Sequence, residues 1–518
     1  MEGQQRHFAS SGTGKEAQVA FRQNADAVRQ VAAAVEGTLG PKGLDVMLVG
    51  DDQEVIVTND GVTILDKMEH QHPAARMIVN IARAQQNEVG DGTTTATVLA
   101  AALVEEGAKQ VARGVPVAKV ITGIRRGVRF ALKRMQEKAH PIWELDDEWL
   151  LRIAYTAGRE QEDIAELVLE AAALVGREKL IAKGFKLADA VIAHPRAENA
   201  VFSGLSLPGV RLHPQMPVNR EGVRVLVLGD DLVPDMVNDS YAGTDAGMKK
   251  QEQLDENFRE MLQKIIEAEI GLVAVEGEVH PLAEGLLTEA EVMAVAGVSR
   301  EDLLRIAQHT GARILKRSAL QRSSDELESL LGFCEEALDV ENMGHIRIGG
   351  GAGKPSATIL VGAATEEVVS ERERICKDAA SSVQAALRGG FLAGGGATEL
   401  ALARDVEKFR DSVQGMERFG VSAVAEALQR PMAQVVANAG FNPLEKVEEV
   451  KALQWKRQSH TLGVDCDRGA VTDMVEMGVV DPLPVKYHAL KAAGEVSTAI
   501  LRIHTVVKMK DSLRIHQK

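Results

Sequence analysis

Helix-patterned sequence lies at both ends of this chain and strand-patterned sequence lies in its middle, so whatever the ends build must be closed by segments far apart along the polypeptide. In HPAARMIVNIARAQQ, Ala74, Met77, Ile78, Ile81 and Ala82 recur on one helical face, and Pro73 takes a first-turn position where its missing N–H costs nothing. Residues 93 to 111 and 117 to 138 continue the helical period, while VMLVG and EVIVT, on either side of Asp51 and Asp52, predict a short hairpin. From about residue 205, VRVLVLG (223 to 229), GLVAVEG (271 to 277), EVMAVAG (291 to 297) and ARILK (312 to 316) read as strands alternating with helices, the pattern of a separate α/β unit. Its clearest helix, EDLLRIAQHTG, has Ser299 and Asp302 as a cap and stops at Gly311. Residues 371 to 388 and 397 to 440 return to Ala-rich helix, ending at Gly440 and Pro443, and Leu501 to Val507 reads as a strand-like run.

An insertion at 235 to 268 separates the first two middle strands. Leu254, Phe258, Met261, Leu262, Ile265 and Ile266 form an apolar stripe on its charged helix, which needs either its own domain or, at the tip, another subunit to cover it.

A chain of 518 residues exceeds one ordinary domain, and about three are expected. The net charge of −15 repels phosphate backbones and anionic membranes, which disfavours a general nucleic-acid or membrane binder. Aromatic residues make up only 3% of the chain, so base-stacking platforms are not expected and the helices must pack through Ala, Val, Leu and Ile. Cys334, Cys376 and Cys466 are too scattered for a disulfide framework or a thiolate metal site, which fits a reducing cytoplasm. The longest apolar stretches, such as Ala96 to Val104, are about half of the ~20 residues a membrane span needs, and the polar start lacks a signal-peptide core, so a soluble, unexported protein is expected.

Two apparent phosphate loops fail on inspection. GGGAGKPS (349 to 356) has Ile348 where a Walker loop needs Gly, and Pro355 removes an amide donor, which leaves a flexible connector as the expectation; SSGTGKE has Ala9 and Glu16 at the corresponding positions. VGDGTTTATVLAAALV (89 to 104) is the stronger signal. Gly90 and Gly92 allow close backbone approach, Asp91 offers a hard carboxylate for Mg²⁺, and Thr93, Thr94 and Thr95 bring hydroxyls and amides to a helix N-terminus. The plainer alternative makes Asp91 an N-cap and the threonines satisfiers of first-turn amides. TLGPKG (38 to 43) and Asn59-Asp60-Gly61 are turns by composition, and Gly394, Gly395 and Gly396 form a hinge, a close-packing site or a pocket floor. Asp60, Asp91 and Asp378 together are the kind of set that holds Mg²⁺ on a polyphosphate and orients a water. His70 and His72 lack a coordination pattern around them, and no GxSxG, HExxH or kinase signature is present.

Taken together, GKEAQ (14 to 18), TLGPKG (38 to 43), VTNDGVTIL (57 to 65), EVGDGTTTATVLA (88 to 100), AGGGATEL (393 to 400), NAGFNPLE (438 to 445) and DMVEMGVVDP (473 to 482) resemble the chaperonin family in content and order. HPAARMI (72 to 78), HPQMP (213 to 217), the 235 to 268 insertion and ILRIHTVV (500 to 507) are similar to the thermosome-type group II branch, and Asp481 in VVDP to a bacterial, group III member. The resemblance implies a mainly helical equatorial ATP-binding domain (1 to 138 and 397 to 518), a small α/β intermediate hinge domain (139 to 204 and 355 to 396) and an α/β apical substrate domain (205 to 354) with a helical, lid-forming protrusion at about 235 to 268.

It also implies that Thr38, Leu39, Gly40 and Pro41 line the nucleotide phosphates with Gly92, Thr93, Thr94 and Thr95, that Asp91 ligates Mg²⁺, and that Gly395, Gly396 and Asp481 contact the nucleoside, Asp481 through the ribose hydroxyls. Asp378 would orient the hydrolytic water, with Asp60 as second carboxylate near the γ-phosphate. The implied protein is a cytoplasmic, ATP-dependent chaperone that encloses unfolded client chains in two stacked rings of eight or nine subunits with a built-in lid and no separate co-chaperonin. One departure stands out: where thermosome-type chains carry a γ-phosphate-sensing lysine, this one reads AYTAGREQED, with Arg159 nearby as a substitute or an ordinary surface cation. The competing readings are an ATP-dependent ligase or kinase using the same cluster, and a ring scaffold without hydrolysis.

Overall fold

The computed structural model describes residues 12–50, 55–69, 72–195, 197–236, 245–363 and 365–503. The chain divides into two compact units, one made of residues 1–165 and 377–518 and the other of residues 166–376.

The two-segment unit is helical, and its centre is the helix Thr93–Ala112. That sequence is apolar on nearly every side, and Ala96, Leu99, Ala100, Leu103 and Val104 are all buried. Around it pack the helices Gly12–Val35, Pro73–Glu88, Glu417–Ala427 and Leu483–Leu501. Small residues allow the close approach the composition calls for. A Cβ on Gly123, in the helix Val117–Glu137, would stand 2.7 Å from the Cα of Gly420, so any larger side chain would wedge the two helices apart. His72 caps the helix Pro73–Glu88, its Nδ1 accepting from the Ala74 N–H at 3.2 Å, which gives this histidine a structural task; His70 lies outside the described residues.

The expected hairpin forms as Val46–Val49 paired antiparallel with Val55–Thr58. The Ala-rich stretch from 397 to 440 is broken into Ala397–Ser412, Glu417–Ala427 and Arg430–Asn438. Val413 turns extended and Gly415 takes a φ of 70°, which ends the first of these. The strand-like run from Leu501 needs correction at its start. Leu501 closes the helix Leu483–Leu501 and is buried against Gly107, because Ser497, Ile500 and Leu501 continue the helical face; residues 504–507 lie outside the described residues.

The second unit is built on a nine-stranded mixed sheet. Its order is Val191–Pro195, Ala357–Ala363, Ala200–Pro208, His345–Gly351, Gly332–Val340, Asn219–Leu228, Ile270–Val275 and Met293–Val295, with Ile314–Leu315 also pairing with Asn219–Leu228. The four strands legible in the sequence form its parallel end, where continuous apolar runs are buried on both faces. GGGAGKPS is not a flexible connector: Gly349 pairs with both Gly204 and Glu336 inside the sheet. Beyond it, the Gly353 and Lys354 amides donate to the His309 and Gln308 carbonyls at 2.8 and 2.7 Å. Glycines that read as slack are here held by ladder bonds.

The insertion forms the helix Asp245–Glu267, and residues 237–244 before it lie outside the described residues. Phe258, Met261, Leu262 and Ile265 are buried in one cluster with Leu226, Leu228, Ala283 and Leu287, so the stripe is covered by its own unit over that length. Each such side chain contributes about 2 kcal/mol of transfer free energy. Ser299 and Gly311 bound the helix Arg300–Thr310 as expected, Ser299 Oγ accepting from the Asp302 N–H at 3.1 Å. No helix among the described residues is long and apolar enough to cross a membrane.

Candidate functional site

The site grows from the start of the helix Thr93–Ala112. Gly92 is its N-cap, in the left-handed region at φ 79°, and contributes no side chain to the orphan amides of the first turn. The reading of Asp91 as a plain N-cap is therefore wrong. Its Oδ1 accepts from the Gly92 N–H at 2.5 Å and its Oδ2 from Ser382 Oγ at 2.7 Å. Thr93 is buried, with Thr94 and Thr95 half-buried beside it. Gln85, fully buried, donates through Nε2 to the Asp91 carbonyl at 2.7 Å and the Val485 carbonyl at 3.1 Å, while its Oε1 lies 2.7 Å from His488 Nδ1. Three helices thus hold one carboxylate-bearing turn.

Asp60 comes to the same helix end. It caps the helix Gly61–Lys67 by accepting at Oδ2 from the Thr63 N–H at 2.9 Å and Thr63 Oγ1 at 2.7 Å. A Cβ on neighbouring Gly61 would stand 2.6 Å from Thr94 Oγ1 and 3.1 Å from Thr93 Oγ1. Only a residue without a side chain lets the Asp60 turn come so near the Thr93 amides.

Asp378 rides on the helix Glu366–Gly389. Ser382, one turn later, bonds Asp91, and the Cβ of Ser381 is 2.6 Å from where a Cβ on Gly90 would sit. Positions i, i+3 and i+4 share a helix face, so Asp378 lies on the face that meets the Gly90–Gly92 turn, about 6 Å along the axis.

A second helix start faces Asp481. Phe391–Ala393 pairs antiparallel with Val480–Pro482, Leu392 opposite Asp481, and the Gly394 N–H donates to the Val479 carbonyl at 2.9 Å. Gly395 and Gly396 follow at φ 59° and 78°, and Gly396 caps the helix Ala397–Ser412 without a side chain. A Cβ on Gly394 would stand 3.2 Å from Asp481 Oδ2, so the carboxylate borders the glycine loop. Asp481 and Glu399 both reach Lys486, Nζ lying 2.8 Å from each.

Electrostatics tie these pieces together. Burial pushes the Asp91 carboxyl up, and the Asp481 charge adds to that push, against the Ser382 and Gly92 hydrogen bonds and the Arg159 guanidinium, which favour the ionised form. Arg159 sits in a left-handed turn at φ 52°, and its charge reaches Asp91. Burial would lower the Lys486 ammonium, but the Asp481 and Glu399 carboxylates prevail and hold it above its ordinary value.

The Thr38 turn is braced by Asn438, whose Nδ2 donates to the Glu36 and Leu39 carbonyls, both at 2.8 Å, while Thr38 Oγ1 donates to the Val35 carbonyl at 2.8 Å. Gly40, at φ 87° and backed by Val435, turns the chain into Pro41, and the short helix Glu36–Thr38 packs on the Thr93 helix. Lys42 pairs with Asp467 at 2.6 Å and also feels Glu160, the residue after Arg159.

All of these residues belong to the two-segment unit. The sequence did not point to Gln85, Ser382, Glu399, Asn438 or Lys486 as contributors. Ser382 had a signal, four residues after Asp378, and Asn438 sits in the NAGFNP motif; Lys486 and Glu399 had none, since an ion pair between distant segments leaves no local pattern.

The arrangement fits a magnesium-bearing triphosphate. Two helix N-termini have first-turn amides that no side chain caps, as a phosphate chain requires. Asp91 is a half-buried carboxylate that desolvation pushes toward protonation, a strain that a divalent cation would relieve. Among the described residues no three His, Cys, Asp or Glu side chains gather into a metal cage.

The TCP-1/cpn60 chaperonin family model matches residues 31–511. A thermosome subunit of Methanocaldococcus jannaschii is 34% identical over 514 residues, covering 95% of this chain and 92% of that protein. The thermosome subunit beta of Archaeoglobus fulgidus is 35% identical over 513 residues, covering 96% and 93%. Among solved structures, a group III chaperonin in the open state superposes with a TM-score of 0.85 at 43% identity, over 95% of this chain and all of that one. With motif order, helical core and sheet unit in agreement, the chain has the chaperonin fold and belongs to the TCP-1/cpn60 chaperonin family.

Proposed function

We propose that this chain is a subunit of an ATP-dependent molecular chaperone that hydrolyses ATP at the site above and uses the cycle to enclose and release unfolded polypeptides. The observation that carries this reading is the convergence of Asp60, Asp91, the Asp378 helix and Asp481 around two uncapped helix N-termini within one unit. The Thr93–Thr95 amides, with Gly92 and with Thr38 to Pro41, line the phosphates, Gly395 and Gly396 contact the nucleoside, and Asp91 would hold Mg²⁺. When bound, Mg²⁺ neutralises charge on the transferring phosphoryl group. Asp378 accepts a hydrogen bond from the attacking water and orients it, and Asp60 supports it near the γ-phosphate. The Arg159 charge is felt at Asp91, and there it can answer phosphate charge.

The family relationship supports assembly into two stacked rings of eight or nine copies in the cytoplasm, with equatorial, intermediate and apical domains bounded as the sequence suggests. The helix Asp245–Glu267 would carry the lid protrusion.

Mg-dependent ATP turnover of Asp378→Ala tests the reading. The variant should bind nucleotide and assemble as wild type does, yet lose turnover by about a hundredfold or more, the scale of removing a positioned general base. Turnover at the wild-type rate would refute it. Electron microscopy with and without Mg-ATP should show stacked rings whose mouths close; a compact monomer in both conditions would refute the assembly.

A further inference from the structure

Lys486 occupies a position where a lysine is costly. It lies in the first turn of the helix Leu483–Leu501 with a side chain only 6% exposed. Its Nζ is 2.8 and 3.0 Å from the two Glu399 oxygens and 2.8 Å from Asp481 Oδ2. Glu399 is 2% exposed, and Asp481, at 35%, is the member of the trio that reaches solvent. Desolvating three such charges costs several kcal/mol per ion, and well-packed apolar residues of the same volume often stabilise a fold equally well. The trio is poor value as cement alone.

Its geometry is specific, however. Glu399 is the third residue of the helix that begins after Gly396, and Asp481 sits in the strand paired with Phe391–Ala393, so Lys486 joins the two sides of the glycine loop. Its three donors are directed at two carboxylates, and the contact takes Asp481 at Oδ2, the oxygen next to Gly394.

We infer that Lys486 is a positioning residue for nucleoside recognition: by holding Asp481 at Oδ2 it presents Oδ1 to the ribose hydroxyls and sets the enzyme's preference for a ribonucleotide. This rests on the assignment of Asp481 to the ribose.

The test compares hydrolysis of ATP with that of 2′,3′-dideoxy-ATP by the full-length assembled protein, reading KM and kcat separately. A hydrogen bond to a charged carboxylate corresponds to about a tenfold or larger preference for ATP, expressed in KM. Asp481→Asn should abolish most of that preference. Lys486→Met combined with Glu399→Gln, which leaves no unpaired buried charge at 399, should abolish it too, with kcat changing less than KM. Lys486→Arg preserves the charge but moves the donors, and should weaken the preference part-way. If Asp481→Asn loses the preference while both Lys486 variants keep it in full, the inference is overturned and the role of Asp481 survives. If Asp481→Asn itself discriminates like wild type, the ribose assignment falls and the inference with it. Should the double variant fail to fold, Lys486→Arg decides alone: full wild-type discrimination overturns the inference and a partial loss upholds it.

Discussion

Ser382 Oγ donates a 2.7 Å hydrogen bond to Asp91 Oδ2, and so ties the helix that carries Asp378 to the carboxylate best placed to hold a metal. A cation that takes the same Asp91 oxygen competes with the Ser382 hydroxyl, and so with the helix bearing Asp378. Charge at Asp91 and the position of Asp378 are therefore coupled through one hydroxyl.

Ser382→Ala should weaken that coupling. The lost bond favoured the ionised Asp91, so its carboxyl will rise further, and the acid limb of the pH–rate profile should move to higher pH. A bond to a charged group is worth about 1.5–3 kcal/mol, which predicts roughly a tenfold or larger fall in turnover at limiting Mg²⁺. Steady-state ATPase assays across pH and Mg²⁺ concentration check both; unchanged profiles would show that the hydroxyl carries no such load.

Asp91→Asn should abolish Mg-dependent turnover yet stabilise the nucleotide-free protein. Because the folded carboxyl is raised above its unfolded value, its contribution to stability is fully present below the unfolded value of about 4 and is lost as pH rises through the folded one. The variant should thus melt above wild type near neutral pH, and the gap should close in acid. Thermal unfolding of both proteins from pH 4 to 8 measures it, and an equal gap at every pH contradicts the sign worked out here.

Gly396→Ala should damage the nucleoside end. Gly396 sits at φ 78°, and an added Cβ would lie 2.7 Å from the Met432 amide nitrogen, a backbone atom with little room to move. Left-handed strain alone costs about 1–3 kcal/mol. Lower melting with at least a tenfold loss of nucleotide affinity is expected by calorimetry, and wild-type affinity would show the loop has slack.

In the sheet unit, His309 is 1% exposed, and its Nε2 accepts from the Gly351 N–H at 3.1 Å. Burial lowers its pKa, partly opposed by the Lys354 carbonyl and assisted by the Lys179 charge. A depressed histidine contributes stability above its unfolded value of about 6.5, lost as pH falls through the folded one. The protection factors of the Gly351 to Lys354 amides, taken relative to the slower intrinsic exchange in acid, should therefore fall as pH drops below about 6.5. His309→Gln should flatten that dependence; an unchanged pH response in the variant would assign it to another group.

What could be read from the linear chain follows the range of each interaction. The helices around Thr93 and Pro73, the Val46–Thr58 hairpin and the Ser299 cap arise from local periodicity and capping, which act within a few residues. The family motifs also led to Asp60, Asp91, Asp378 and Asp481. The antiparallel half of the sheet was hidden because its strands, such as Ala200–Pro208 and His345–Gly351, interleave glycine and polar residues and owe their form to neighbours about 140 positions away. The same holds at the site. Gly92 rather than Asp91 caps the central helix, Ser382 holds Asp91, and Lys486 joins Glu399 to Asp481, and each of these needed three dimensions. Residue order settles which backbone turns and helix faces are available; which charged groups meet across hundreds of residues follows from packing, because burial strengthens a charge's interactions only with the partners that the fold brings to it.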